Sequence, residues 1–359
     1  MTLEEKYHLT KNNKYAKYFS ITEAYARRDL SREELVKIWK EENEKMKPYF
    51  HRYENPFMKI PHFFDSLVSC FLPGDDIVIQ EKIDGSNAHM RISRKDPEKP
   101  EFKAYGQNYE LNEQNSLDGF YYFVQDHAAD IPSKYDGLDI YGEWLTPHSC
   151  VYPEEAYGEF YVFDVMEDGN YWTQDRVQKL AQECGLHYAP VFYAGKFQNW
   201  HHVMDFVGKT MLGGSQGEGI VLKNQTRLNQ PDTTFYTKIV SQEFQEVFAK
   251  REKVKPFQLK KVLALAEQRE LAESVVTRAR VQKQIEKLVT EGEISANWKQ
   301  LEPKDYQSKV TSAVYRDCRK ETPEAVEKLG KEFGRLNGLI VSEHLKAIIR
   351  DENDPEGEV

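Results

Sequence analysis

The heptapeptide EKIDGSN, residues 81–87, decides how the surrounding chain is expected to fold. It follows the apolar run 77–79, which favours a β-strand, and its Asp-Gly-Ser step favours a turn. Residues 77–82 and 88–93 are therefore predicted to pair as a hairpin, with Lys82 held at the lip of a sheet as a nucleophile. The alternative is a solvated lysine at a strand end, and this motif by itself does not decide between the two.

Composition places the chain among globular proteins. Its 359 residues are 40% hydrophobic and 30% charged, which is enough for a substantial core and favours two domains over one. No window approaches about 18 consecutive apolar residues, and the first residues lack a basic-then-apolar signal peptide. We therefore expect a cytoplasmic protein without a membrane segment. The four cysteines never form a Cys-x-x-Cys pair, which argues against a zinc site or a disulfide framework.

The net charge limits how the chain can meet nucleic acid. A formal charge of -10 argues against coating nucleic acid by bulk electrostatics, because phosphate neutralisation needs clustered Lys and Arg. Two local basic tracks, residues 250–261 and 278–287, remain. Each is a candidate phosphate contact or, alternatively, a solvated helix face.

Hydrophobic periodicity divides the chain into four regions. They are a helical N-terminal extension at 1–50, a mixed domain of short strands at 51–250, a helical C-terminal domain at 251–350 and an acidic tail at 351–359. Within the mixed domain the strands are predicted at 77–82, 88–93, 102–105, 138–144, 160–165, 219–222 and 234–240. Helices are predicted near 117–129, 173–184 and 200–207.

Further motifs follow Lys82 in the mixed domain. They are YGEW at 141–144, FYVFDV at 160–165, EGIVLK at 218–223, KI at 238–239 and, more weakly, KAYG at 103–106. In this order after Lys-x-Asp-Gly-x-Asn, they resemble the nucleotidyltransferase motifs of covalent ATP-dependent polynucleotide ligases. The closest resemblance is to the RNA ligase 2 family of the T-even phages and the kinetoplastid editing ligases. The ordering makes the resemblance specific, since a single short pattern often arises by accident.

The resemblance implies a fold and an activity. The fold would be α+β, with a nucleotidyltransferase domain of ATP-grasp-like antiparallel sheets followed by a small all-helical C-terminal domain. The activity would be ATP-dependent RNA ligation, in which Lys82 is adenylylated, AMP moves to an RNA 5′-phosphate and a 3′-hydroxyl displaces AMP. Mg²⁺ or Mn²⁺ would assist each step. The implied partners are RNA ends, in nicked duplex RNA or in broken structured RNA. The resemblance also implies a monomeric RNA repair enzyme. Such an enzyme could be encoded by a phage and act in the cytoplasm of its host.

The resemblance also assigns roles to the lysines and the carboxylates. Lys223 and Lys238 would lie beside Lys82, disfavour its ammonium form and stabilise charge on the α-phosphate. Glu218 would help to hold the metal, and Asn87 would position one of its waters. Asp164 would support the lysines. The implied ATP-binding set is Glu81, Lys82, Asn87, Glu143, Phe163, Lys223 and Lys238.

Two members of this set would contact the nucleoside. Glu143 would accept hydrogen bonds from the ribose, and Phe163 would stack on the adenine. The plain alternatives are an edge carboxylate for Glu143 and a core aromatic for Phe163, and the two interpretations of Phe163 are compatible. The alternative for Lys223 and Lys238 is a solvated lysine at each strand end.

The resemblance weakens beyond the mixed domain and departs from the family in two places. Residues 276–281 and 303–306 resemble the C-terminal domain of the RNA ligase 2 family, which implies that Arg280 and Asp317 engage RNA after adenylylation. An ion pair within one helix or between helices is the alternative for these two residues. Residues 103–108 lack the arginine that the family places there, and Val240 stands where a second lysine is usual.

Two rival functions use the same residues. A DNA ligase or a capping guanylyltransferase shares the lysine chemistry but usually carries an all-β OB-fold after the last motif, where this chain reads helical. The other rival is a catalytically impaired, nucleic-acid-binding relative. The missing arginine in residues 103–108 and Val240 in place of a lysine would be compatible with such a protein.

Overall fold

The computed structural model describes residues 1–63, 70–96, 99–230, 235–241 and 259–353. The chain divides into two compact units, Met1–Phe257 and Gln258–Val359, called here the N-terminal and the C-terminal unit. The domain boundary expected near residue 250, most of the basic track 250–261 and the last six residues of the acidic tail lie outside the described residues.

The N-terminal unit contains two sheets and six α-helices in its described part. The strands are β1 (His51–Arg52), β2 (Asp76–Lys82), β3 (Ser86–Asp96), β4 (Lys99–Gly106), β5 (Tyr109–Glu110), β6 (Asp139–Trp144), β7 (Phe160–Glu167), β8 (Asn170–Tyr171), β9 (His187–Tyr188), β10 (Val191–Lys196), β11 (Gly219–Asn224) and β12 (Tyr236–Val240). The helices are α1 (Leu3–Thr10), α2 (Ser20–Ala26), α3 (Arg32–Met46), α4 (Phe120–His127), α5 (Gln174–Glu183) and α6 (Trp200–Met204).

The two sheets are almost wholly antiparallel. The larger has the order β1-β5-β4-β3-β6-β7-β8, with β9 added parallel to β7, and the smaller has the order β10-β2-β11-β12. β2 lies inside the smaller sheet and is buried on both faces from Ile77 to Glu81, which explains its continuous apolar run. The seven predicted strands of the mixed domain match observed strands, whereas β10 and the two-residue strands were not predicted.

The predicted hairpin is wrong. β2 pairs with β10 and β11, whereas β3 pairs with β4 and β6, so the turn after Lys82 carries the chain from the smaller sheet to the larger one. The carboxylate of Asp84 fixes this turn by accepting hydrogen bonds from the backbone N–H groups of Ser149 and Cys150, each 2.7 Å long. Lys82 and the strand that follows it therefore belong to different sheets, which meet at this turn.

A glycine is required at the crossing between the sheets. A Cβ atom on Gly85 would lie 2.7 Å from the carbonyl oxygen of Trp144 and 2.9 Å from Cγ of Glu143, both on β6. Real Cβ atoms do not approach backbone that closely, so the Asp-Gly step reflects close packing on the larger sheet.

The larger sheet carries the main core of this unit. α4 and α5 pack on its strands, and the buried cluster between them includes Phe120, Phe123 and Phe160. Residues of the N-terminal region join the same cluster, because Tyr15 and Phe19 are buried in it. Part of the region predicted as an extension is thus integral to this core.

A segment ahead of β2, residues 52–63, joins the edges of the two sheets and is called here the strap. At one end β1 pairs with β5, and the backbone N–H of Tyr53 donates to the carbonyl of Asn108 at 2.9 Å. At the other end the backbone N–H of Lys238, on β12, donates to the carbonyl of Pro61 at 3.0 Å. Between these anchors the ring of Phe57 packs on the larger sheet. The strap therefore bridges one edge strand of each sheet.

The C-terminal unit is helical throughout its described residues. Its helices are α7 (Leu259–Val275), α8 (Arg278–Thr290), α9 (Pro303–Glu321), α10 (Pro323–Leu329) and α11 (Glu332–Asn353). They enclose a separate core that includes Val310, Phe333 and Val341. The α+β class and the all-helical C-terminal part are confirmed. Among the helices described in either unit, none is both long and apolar enough to cross a membrane.

Candidate active site

A cavity of about 1010 Å³ lies between the two sheets of the N-terminal unit and beneath the strap. One face of the smaller sheet contributes Gln80 and Lys82 from β2, because alternate residues of a strand share a face. Register places Val221 of β11 opposite Gln80, and Lys238 of β12 opposite Val221, so these side chains share that face. The larger sheet and the strap supply the other walls.

The cavity collects the whole ATP-binding set predicted from the motifs. Its lining includes Glu81, Lys82, Asn87, Glu143, Phe163, Lys223 and Lys238. Glu218 adjoins it through a direct contact with Lys82. Residues separated by up to about 160 positions are thus brought to one place.

Lys82 forms a partly buried ion pair with a carboxylate. Its Nζ donates to Oε2 of Glu218 at 2.5 Å, and the two side chains are 22% and 4% exposed. Burial lowers the pKa of Lys82, but the negative charges of Glu218, Glu143 and Asp84 together outweigh it, so the pKa is raised. The same burial raises the pKa of Glu218, against the opposing charge of Lys82. The amine is therefore an ammonium at neutral pH in this state.

In this state the charges that act on Lys82 are carboxylates, so its pKa is raised and not lowered by neighbouring lysines as predicted. Lys223 pairs in register with Val78, four positions along β2 from Lys82, which is about 13 Å along the strand. Lys238 lies two strands away from β2, at the level of Gln80. The motifs located the lysines correctly in one cavity but could not show that carboxylates are the immediate neighbours of the amine.

Glu143 lies opposite Asn87 on neighbouring strands β6 and β3, so both project into the cavity. Its Oε1 accepts a hydrogen bond from the backbone N–H of Gly85 at 3.1 Å. Burial raises the pKa of Glu143 to about 8, Lys82 opposes this shift, and Glu218 adds to it. A carboxyl poised near neutrality can donate or accept hydrogen bonds to a ligand hydroxyl.

Lys223 and Asp164 form a buried ion pair at the far end of the cavity floor. Their side chains are 1% and 0% exposed, and Nζ lies 3.0 Å from Oδ2 of Asp164. The ammonium also donates to the carbonyl of Phe163 at 2.6 Å, and Asp164 accepts from Gln174 and Tyr236 at 2.7 and 2.8 Å. Burial lowers the pKa of Lys223 and raises the pKa of Asp164. Asp164 thus contacts one of the lysines it was predicted to support.

The remaining predicted ligand residues have mixed environments. Phe163 is partly buried, and its ring meets the ring of Phe57 edge to face, with centroids 5.6 Å apart. The carboxylate of Glu81 is turned away to the other side of β2, where it accepts from the hydroxyl of Thr210 at 2.6 Å and the N–H of Met211 at 2.7 Å. Burial raises the pKa of Glu81 against these hydrogen bonds. Only the main chain of Glu81 is therefore placed to meet a ligand.

The carboxylates fit a hydrated divalent cation better than an all-protein metal site. Among the described residues, no group of three or more His, Cys, Asp or Glu side chains could hold a metal ion by itself. Glu218 is an oxygen ligand beside the reactive amine, and Mg²⁺ and Mn²⁺ accept one or two carboxylates together with substrate phosphates and water. The residues present fit a metal that arrives with its substrate.

Arg280 and Asp317, the predicted RNA-binding pair, lie in the C-terminal unit. Nε of Arg280 lies 2.9 Å from Oδ2 of Asp317, with side chains 18% and 21% exposed. The guanidinium also donates to the carbonyl of Val275 and contacts Sγ of Cys318. The ion pair named as the alternative is thus present between α8 and α9, and it leaves these residues partly exposed.

Sequence reasoning missed the strap and Gln80. Residues 52–55 and 57–60 line the cavity, although no motif marks them. Gln80 lines the floor two residues before Lys82 and reads in the sequence as an ordinary strand residue. No local signal could have found either, because both depend on which strands meet.

The fold and this cavity define an α+β protein with a lysine-centred cavity between two antiparallel sheets. Residues 75–240 match the family model described as RNA ligase. This part of the chain therefore resembles the RNA ligase family, in agreement with the resemblance to RNA ligases found in its motifs. No curated protein matches the chain in sequence.

Solved structures of Naegleria gruberi RNA ligase are similar to the chain at low identity. A mutant with ATP and Mn has 16% identity and a TM-score of 0.42, over 55% of this chain and 59% of that one. The ligase with pyrophosphate has 16% identity and a TM-score of 0.41, over 56% and 60%. A mutant without ligand has 16% identity and a TM-score of 0.43, over 56% and 60%. The chain thus spans about three fifths of the length of these ligases.

Proposed function

We propose that the protein is an ATP-dependent RNA ligase that seals 3′-hydroxyl and 5′-phosphate ends through a lysyl-AMP intermediate on Lys82. The observation that carries the proposal is the placement of the Lys82 amine in one cavity with Glu143, Phe163 and two further lysines, beside Glu218. A cavity of about 1010 Å³ is large enough for a nucleotide. The match of residues 75–240 to the RNA ligase family supports RNA as the substrate.

The first step follows from the environment of the amine. Nζ of Lys82 attacks the α-phosphorus of ATP, a P–N bond forms, the bond to the β-phosphate oxygen breaks and pyrophosphate leaves. The ammonium must lose a proton first, and Oε2 of Glu218, which already accepts its hydrogen bond at 2.5 Å, is the described acceptor for that proton. Formation of the P–N bond releases a second proton from the nitrogen, which the leaving pyrophosphate accepts, so the nitrogen then carries no positive charge. Glu218 returns its proton to solvent and is left as a carboxylate without its ammonium partner.

The other residues would bind and orient the substrates. Lys238 lies on the same face of the smaller sheet as Lys82 and would stabilise charge on the phosphates. Glu143 would accept hydrogen bonds from the ribose, and Phe163 would stack on the base. When bound at Glu218, Mg²⁺ or Mn²⁺ would neutralise phosphate charge, with Asn87 ordering one of its waters. In the C-terminal unit, Arg280 and Asp317 would engage RNA.

One rival fits less well. A DNA ligase or a capping enzyme would be expected to follow β12 with an all-β OB-fold, but the described residues 259–353 are helical. A catalytically impaired relative would keep the fold without labelling Lys82, and the experiment below separates it from a ligase.

Labelling with ATP carrying a radioactive α-phosphate tests the proposal. The wild-type protein with Mg²⁺ should retain acid-stable label, and Lys82→Ala should retain none. Lys196→Ala is the matched control and should be labelled normally, because that exposed lysine pairs with Asp76 outside the cavity. Label on Lys82→Ala would exclude this lysine as the nucleophile, and an unlabelled wild type would favour the impaired relative.

A sealing assay then tests the substrate. Nicked duplex RNA, single-stranded RNA and nicked DNA are compared with the same ATP and metal. Sealing of an RNA substrate with little or none of nicked DNA is expected. Preferential sealing of nicked DNA would contradict the proposed function.

A further inference from the structure

Gln80 carries a buried side-chain amide that the protein leaves without a partner. The residue is 1% exposed, it lines the cavity, and neither its Nε2 nor its Oε1 makes a hydrogen bond to any described group. The hydroxyl of Tyr188 lies close to this amide and interacts with it, but its proton is donated to Oε1 of Gln174 at 2.8 Å, so Oε1 of Gln80 receives no hydrogen bond from it. A buried polar group without a hydrogen-bond partner raises the free energy of the folded protein. Such an amide therefore indicates a site where a ligand supplies the missing hydrogen bonds.

The surroundings of Gln80 suit an uncharged part of a ligand. Val221 lies directly opposite it on β11 and also lines the cavity. The carbonyl of Pro190 accepts from the N–H of Glu81 at 2.8 Å, which brings Ala189, another lining residue, alongside this end of β2. A phosphate would gain little from an uncharged amide between apolar neighbours. A flat ring with apolar faces and a polar edge suits this environment.

The position of Gln80 relative to Lys82 fits the two ends of one nucleotide. Both residues lie on the same face of β2, two positions apart, which is about 7 Å along the strand. The amine of Lys82 would face the phosphates, while the amide lies deeper on the cavity floor. A glutamine amide offers an adjacent donor and acceptor, which match the amino group and the neighbouring ring nitrogen of adenine.

We propose that Gln80 is a specificity-determining residue that reads the 6-amino edge of the purine base. The inference rests on the proposed function, since it assigns the base end of the same nucleotide site. It makes Gln80 a contact to the base and gives it no part in phosphoryl transfer.

Equilibrium binding of two monophosphates tests the inference without any transfer reaction. The probes are AMP and purine riboside 5′-monophosphate, which lacks the 6-amino group, each titrated calorimetrically into the full chain. The wild type should bind AMP about tenfold more tightly, the value of one or two net hydrogen bonds. Gln80→Leu should bind both probes with equal affinity, because leucine cannot form a hydrogen bond to the 6-amino group. The ratio of the two dissociation constants therefore measures this one contact.

The unliganded protein supplies a second readout. Gln80→Leu removes a buried amide without a partner, so its melting temperature should equal or exceed that of the wild type. Gln225→Leu is the matched control, since Gln225 is a partly buried amide outside the cavity whose Nε2 also lacks a partner but whose Oε1 accepts from the N–H of Gln174 at 2.8 Å. It should lose stability and keep the tenfold ratio.

The outcomes separate the inference from the proposed function. A wild type that binds neither probe would count against the nucleotide site itself. A wild type that binds both probes equally, or a Gln80→Leu variant that keeps the tenfold preference, would overturn the role of Gln80 alone.

Discussion

Replacing Lys223 by methionine tests whether this lysine is first of all a structural residue. The Lys223 and Asp164 side chains are 1% and 0% exposed and are joined by an ion pair of 3.0 Å. Methionine keeps the apolar stem but removes the charge, which leaves the Asp164 carboxylate buried without its cation. Breaking a buried pair by removing one partner costs about 3–5 kcal/mol, and two remaining hydrogen bonds from Gln174 and Tyr236 reduce that cost. We therefore expect a loss of about 3 kcal/mol at pH 8.

The loss should depend on pH with a definite sign. Burial already raises the pKa of Asp164, and removal of Lys223 raises it further. A carboxyl whose pKa is higher in the folded than in the unfolded state loses stability as the pH rises between these two values. Lys223→Met should consequently cost less at pH 5 than at pH 8. In the double variant Lys223→Met/Asp164→Asn, most of the loss should be recovered.

Urea unfolding followed by tryptophan fluorescence measures these differences, because four of the five tryptophans lie in the N-terminal unit. A loss below about 1 kcal/mol at pH 8, or a double variant no more stable than the single one, would refute the reasoning. The measurement also affects how activity data are interpreted. If a Lys223 variant is inactive because it is unfolded, its loss of activity is no evidence that Lys223 binds phosphate.

Three further predictions concern other positions. Burial raises the pKa of Glu143 to about 8, so Glu143→Gln should be more stable than the wild type by about 3–4 kcal/mol at pH 8 and by under about 1 kcal/mol at pH 5, as melting temperatures across pH would show. Gly85→Ala places a Cβ 2.7 Å from a β6 carbonyl and should cost about 1–3 kcal/mol in urea unfolding, whereas Gly338→Ala, which meets no atom within 4 Å on α11, should be neutral or stabilising. Arg280→Ala leaves Asp317 unpaired and should lower the free energy of unfolding, measured in urea by circular dichroism at 222 nm, by about 1–3 kcal/mol, while an unchanged free energy would show that this pair is dispensable for the fold.

Much of the fold could be predicted because burial leaves a periodic trace in the sequence. The run before Lys82 is apolar at consecutive positions since β2 is covered on both faces, and α9 and α11 repeat apolar residues every three or four positions. Motif order predicted which residues would share the cavity.

The pairing partners could not be predicted in the same way. The Asp-Gly-Ser step predicts a turn, but nothing local distinguishes a hairpin from a crossing between sheets. The distinction rests on Asp84 holding the N–H groups of a loop some 65 residues away and on Gly85 packing against β6. The electrostatic setting of Lys82 was missed for the same reason, because Glu218 reaches it only through the pairing of β11 with β2.

The strap also constrains the order in which the chain can be built. Pro61 leaves the ribosome long before its partner Thr237, 176 positions later, so the strap must wait for β12 while both sheets are being synthesised. Closing so long a loop is entropically unfavourable and slow, which places this closure among the last events of folding. A nascent or truncated chain ending before β12 would hold Lys82 in a cleft without its complete wall. We therefore expect nucleotide binding to emerge only after β12 has been synthesised.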